Sequence, residues 1–103
     1  MRPTVNAETA REAMSNGREY GRLGQVLDGL ARSRNIRGPG KVARHVKEKT
    51  GRGPNASAWW QIFYGETKQP RSEIIELFAE AFELTTEERR QLAWVYAFPS
   101  QDL

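Results

Sequence analysis

KVARHVKEKTGRGPNASAWWQIFYGETKQPRSEIIELFAEAFEL, residues 41–84, is the stretch whose periodicity decides the fold. Its last third reads most plainly. Ile74, Ile75, Leu77, Phe78, Ala81 and Phe82 fill one broad helical stripe and Glu73, Glu76, Glu80 and Glu83 run along its complement, so a half-buried amphipathic helix is expected over Ser72 to Leu84. In the middle third, Trp59, Ile62 and Phe63 recur at the i, i+3, i+4 spacing, with Ser57, Gln61 and Tyr64 on the opposite face. A helix is predicted to start at Asn55 or Ser57, either of which can accept the free N–H groups of a first turn, and to end near Tyr64 with Gly65 as its cap. In the first third, Val42, Ala43 and Val46 define the apolar side of a short basic helix over Lys41 to Thr50, and Gly51-Arg52-Gly53-Pro54 is the turn that follows it.

Outward from this stretch, Tyr20, Leu23, Leu27, Leu30 and Ala31 predict a helix over Tyr20 to Arg34, weakened by Gly21, Gly24 and Gly29, with Asn35 to Gly40 as a break. On the other side, Thr85 with Glu88 three residues later makes a capping box, so a fifth helix is expected from there to just before Pro99. It is apolar on two sides, Leu92, Val95 and Tyr96 on one and Trp94 and Phe98 on the other, and the excess asks for a partner surface. No segment alternates with period two long enough to make a strand. The expected organisation is therefore all-α, with an N-terminal arm over 1–19, one five-helix domain over 20–98 and a short tail over 99–103.

Composition narrows the chemistry. The 103 residues suit one domain, and neither a spanning apolar run nor a signal-peptide core is found in them, so a soluble cytoplasmic protein without membrane contact is expected. With no cysteine and one histidine, His45, a zinc site of nitrogen and sulfur ligands cannot be assembled. The net charge of +3 conceals an asymmetry: residues 1–71 carry 14 Lys and Arg against 6 Asp and Glu, while residues 72–103 carry 2 against 7. Between 32 and 54, Arg32, Arg34, Arg37, Lys41, Arg44, Lys47, Lys49 and Arg52 face only Glu48, a segment suited to a phosphate backbone or an anionic membrane surface.

Catalytic readings do not cohere. Gly38-Pro39-Gly40-Lys41 lacks the first glycine and the Ser or Thr of a nucleotide-binding loop, although its glycines could free the start of the basic helix to approach an external phosphate. The glutamates at helical spacing make a solvated face, His45 an exposed or partly packed side chain, and Ser57 has no base partner. No enzyme, no cofactor, no metal and no small-molecule substrate are expected.

A basic helix, a turn, a helix with small polar residues outside, and then an amphipathic helix is the order a helix-turn-helix needs. At the level of residues, Leu23 to Leu84 resembles the lambda-repressor-like, XRE-type helix-turn-helix domains, through Val42-Ala43 and Val46, Trp59 and Ile62, Tyr64-Gly65-Glu66, Pro70 and the Ile74 to Phe82 stripe. Ala43 to Trp59 spans 16 residues where such domains have about 10, so the first motif helix should gain a turn and the connection two residues. Phe63 stands where these domains usually carry a polar residue.

The resemblance implies Asn55 as cap, Ala56, Ser57 and Gln61 as base-facing positions, and Lys68 and Arg71 as backbone contacts. Trp60 and Tyr64 are added as groups able to stack on bases, and Lys41, Arg44, Lys47 and Arg52 as further phosphate contacts. The implied function is sequence-specific binding of double-stranded DNA by a small transcriptional regulator, a repressor of phage, plasmid or prophage type. Two other readings stay open: a protein-interaction module working through Trp60, Trp94 and Phe98, and an RNA binder stacking bases on Trp60 and Tyr64. Trp94 and Phe98 are expected either at a homodimer interface, which would space two reading helices by roughly 34 Å on an inverted repeat, or under the N-terminal arm, leaving a monomer.

Overall fold

A computed structural model describes residues 19–98, and the expected arm and tail lie outside the described residues apart from Glu19. Five helices and no strand occur among the described residues: α1 Arg22–Arg32, α2 Pro39–Thr50, α3 Ala56–Phe63, α4 Ser72–Ala81 and α5 Thr86–Ala97. None of them is long and apolar enough to cross a membrane.

The helix ends follow local chemistry that the apolar stripes do not encode. α1 stops at Arg32, two residues short of the expected Arg34, because Asn35 turns left-handed at φ 63° and Ile36 N–H donates back to Ala31 O at 3.0 Å. α2 begins earlier than expected: Gly38 at φ 89° is the cap and Pro39 occupies the first turn, where its missing N–H costs nothing. α4 stops at Ala81 rather than Leu84, since Glu83 at φ 50° lets Leu84 N–H reach Ala79 O at 3.1 Å and close the helix as a Schellman turn. The capping box of α5 forms as expected, with Glu88 N–H on Thr85 Oγ1 at 3.1 Å and Thr85 N–H on Glu88 Oε1 at 2.9 Å.

One core gathers all five helices. Leu27, Val42, Val46, Trp59, Phe63, Phe78 and Leu92 are fully enclosed at its centre, and Ile62, Phe82, Leu84 and Val95 extend it. Phe63, the residue out of pattern for the resembling family, is inside because α1 crosses α3 at backbone contact: Gly21 N–H donates to Phe63 O at 2.9 Å, and a Cβ on Gly24 would lie 1.9 Å from the same oxygen. Two of the glycines that weaken the expected helix, Gly21 and Gly24, are what let α1 approach α3. Near its other end, Arg34 joins three elements, donating from Nε to Phe82 O at 2.6 Å and from Nη2 to Glu88 Oε1 at 2.7 Å.

Candidate nucleic-acid interface

The connection from α2 to α3 is short and tightly specified. Gly51 caps α2 in the left-handed region, and Gly53 at φ 127° lies so close to Val46 that a Cβ there would be 3.1 Å from its Cγ1. Thr50 Oγ1 donates to Val46 O at 2.8 Å and accepts from Arg52 N–H at 3.2 Å, which fixes the exit of the chain. Asn55 then caps α3, its Oδ1 accepting from Ala58 N–H at 2.9 Å. That carbonyl is committed to the helix start, so of the expected Asn55 site only the amide NH2 remains to donate outward.

Because Trp59, Ile62 and Phe63 face the core, α3 presents Ala56, Ser57 and Gln61 to solvent. The backbone of Gln61 does a second job: its carbonyl accepts from Glu66 N–H at 2.9 Å and Thr67 N–H at 3.0 Å, folding the loop that carries Lys68 back against the end of α3. Lys68 and Arg71 are exposed, the latter 3.7 Å from Glu73 in a pair too open to water to hold it. On α2, burial of Val42, Ala43 and Val46 leaves Lys41, Arg44 and Lys47 exposed, and Arg52 is exposed in the turn.

Two expectations about aromatic readers need correction. Trp60 is not a free ring for bases or a partner protein: it retains 9% exposure and stacks on Tyr64, one turn along the same helix, at 5.3 Å between centroids and 11° between planes. Tyr64 is half-buried, and its other neighbour is the Tyr20 ring at 4.9 Å. Burial and the neighbouring Tyr64 push the Tyr20 hydroxyl up to about 12. The two rings cover one another across one turn, a contact that a helical wheel, which put only Tyr64 on the outer face, does not express.

No protein-family model, curated protein or solved structure matches the chain. The site therefore rests on its own chemistry. From the basic segment Arg34 is withdrawn, since it ties Phe82 to Glu88 inside the fold, and Arg32 pairs with Asp28 at 2.9 Å. The only visible signal for the Arg34 role was the capping-box Glu88, whose carboxylate has lone pairs left over for an arginine: Oε1, which accepts from Thr85 N–H, also takes Arg34 Nη2 at 2.7 Å, and Oε2 takes Nη1 at 3.3 Å. His45 is partly packed, its ring 4.4 Å from Phe82 and its Nε2 3.0 Å from Ala81 O at the end of α4. Among the described residues no cluster of His, Asp or Glu has the makings of a metal site. What the arrangement offers is a short helix with small and amide side chains outward, bordered in the chain by cations on the preceding helix, the turn and the following loop.

Proposed function

We propose that this chain is a lambda-repressor-like, XRE-type helix-turn-helix protein that binds double-stranded DNA in a sequence-specific manner and acts as a small transcriptional regulator of the repressor type. The observation that carries the reading is the outward face of α3, where Ala56 and Ser57 permit close approach and Gln61 stands exposed one turn on. Glutamine can donate and accept at once to the N6 and N7 edge of adenine in the major groove, and serine pairs with several base edges. Lys41, Arg44, Lys47, Arg52, Lys68 and Arg71, all exposed, supply the cations that neutralise phosphates on either side of such a helix. The 12 residues of α2 and the five-residue connection to α3 are a lengthened form of the motif, and Asn55 at its cap keeps the N-terminus of α3 ordered.

Selection of bound sequences from a random duplex pool tests the reading: a consensus is expected, lost on Gln61→Ala at one base pair, and a pool that returns no consensus would refute it. The exposed pair Trp94 and Phe98, 51% and 43% accessible, favours a second reading as a protein-interaction module. Binding to duplex that weakens steeply with salt separates the two.

A further inference from the structure

We propose that the groove between α1 and α5 binds a free medium-chain carboxylic acid, its carboxylate on Arg22 and its hydrocarbon chain laid along Val26, Leu30 and Val95 beside Trp94. The groove encloses about 490 Å³, within the range of small-molecule sites, which also form between the helices of bundles. None of the residues assigned to DNA contact lines it, and the inference does not rest on that reading.

Its shape follows from one helical stripe. Arg22, Val26, Gly29 and Leu30 stand at the i, i+4, i+7, i+8 spacing of a single face of α1, and Trp94 and Val95 line the groove from α5. Leu30 and Val95 are buried in its floor, and Trp94, 51% accessible, raises an indole as its wall. Gly29 is exposed, and a Cβ there would meet nothing within 4 Å. A glycine at this position weakens the helix and leaves the groove open where a larger side chain would block it. Arg22 to Leu30 is eight positions, roughly 12 Å of helix, which is the length of a saturated chain of roughly ten carbons.

Charge decides the head group and the orientation. The Arg34–Glu88 pair at 2.7 Å ties the end of α1 to the start of α5, so the helices run antiparallel and Arg22 lies toward the end of α5. Both terminal nitrogens of Arg22 are out of water with no acceptor among the described residues, a costly state for the donors of a charged group. A turn about the outer bonds of the side chain brings the guanidinium to the groove, where a carboxylate accepts from both nitrogens in bidentate fashion. Glu88 stands at the opposite end of the groove. Its charge repels an anion, and Arg34, the cation beside it, is already engaged. The acid therefore enters one way, with its chain ending at Leu30.

Equilibrium dialysis of the full chain against hexanoate, octanoate, decanoate and dodecanoate, each at up to about 1 mM, tests this. Affinity should rise about two- to fourfold for each added methylene and level off beyond roughly ten carbons. Decanol and decyltrimethylammonium, which offer no carboxylate, should bind about tenfold more weakly than decanoate. Arg22→Gln, checked for retained helicity, should weaken decanoate about tenfold and leave decanol unchanged. Gly29→Leu should abolish uptake while raising the melting temperature of the unliganded chain. No uptake of decanoate overturns the proposal, as do equal binding of decanol and decanoate or a Gly29→Leu variant that binds like the parent. Pelleting of the chain with phosphatidylglycerol vesicles in place of decanoate uptake would make the surface a membrane contact and overturn it. So would a sedimentation mass of twice 11.8 kDa without decanoate uptake, which would give the groove to a second copy.

Discussion

Single residues in this chain have consequences of opposite sign that their identity alone does not announce. Gly24 and Gly29 lie five positions apart on the same helix. A methyl at Gly24 would drive into the carbonyl of Phe63, and as backbone cannot rotate away, Gly24→Ala should cost about 3 kcal/mol or more. A methyl at Gly29 meets open space, so Gly29→Ala should gain about 0.5–1 kcal/mol from helix propensity. Urea titrations of the two variants decide the matter, and similar midpoints would mean that α1 does not cross α3 at backbone contact. On the outer face of α3, the Gln61 side chain is exposed, and Gln61→Ala should leave stability unchanged. On the preferred duplex it should lose about 1–3 kcal/mol of binding and relax one base pair; an equal loss on random duplex would place Gln61 on the backbone instead.

At the scale of elements, α5 shows how a helix start can set a pH response. Glu88 closes the capping box, and the Arg34 guanidinium, with Thr85 N–H behind it, holds its carboxyl well down, from the ordinary 4.5 to about 2. The folded chain therefore takes up this proton less readily than the unfolded one. The stability it contributes is complete above the ordinary glutamate range and is lost as pH falls from there toward 2. Melting temperature followed through that range should drop more steeply for the parent chain than for Glu88→Gln; parallel profiles would show that the pair is not formed. Thr85→Ala removes the other half of the box and should cost about 0.5–2 kcal/mol at neutral pH. α2 makes a different kind of element, enclosed on the side of Val42 and Val46 and cationic elsewhere. Lys41→Gln and Arg44→Gln should each weaken duplex binding alike on all sequences and lower the slope of log affinity against log salt by about 0.9. Slopes equal to the parent's would take α2 off the phosphates.

For the molecule as a whole, the basic first part and the acidic last part divide the labour. The cations sit on α2, the turn and the α3–α4 loop, while Glu73, Glu76, Glu80 and Glu83 expose an acidic face on or just after α4 that a polyanion would avoid. Under the proposed DNA reading, such a polarised chain would orient itself in the field of a duplex before contact. The single core is what holds the two parts together. Trp59 lies at its centre against Phe63 and Phe78, with ring centroids 6.5 and 6.1 Å away. Trp59→Ala should cost about 3–5 kcal/mol, a large share of what a domain of this size has. Circular dichroism should report loss of helix at ambient temperature, and a well-folded variant that merely fails to bind DNA would mean that the faces of α3 are exchanged.

The number of helices among the described residues, the core face of each and the capping box of α5 were determined by the sequence itself, because they depend on periodicity and on groups three or four residues apart. Trp59, Ile62 and Phe63 inside and Ser57 and Gln61 outside follow from one helical wheel, as does the exposure of Trp94 opposite Leu92 and Val95. What only the tertiary structure decided are the contacts between residues far apart in the chain. Arg34 looked like one more phosphate-binding cation until Phe82 O and Glu88, 48 and 54 positions away, were brought to it. Gly21 and Gly24 looked like flaws in a helix until the backbone of Phe63 was laid against them. Trp60 looked like a surface ring, and its cover by Tyr64 depends on side-chain rotamers that no spacing rule fixes. Periodicity says which face of a helix leaves water; which partner meets that face, and how closely, is settled by the packing of all five helices at once.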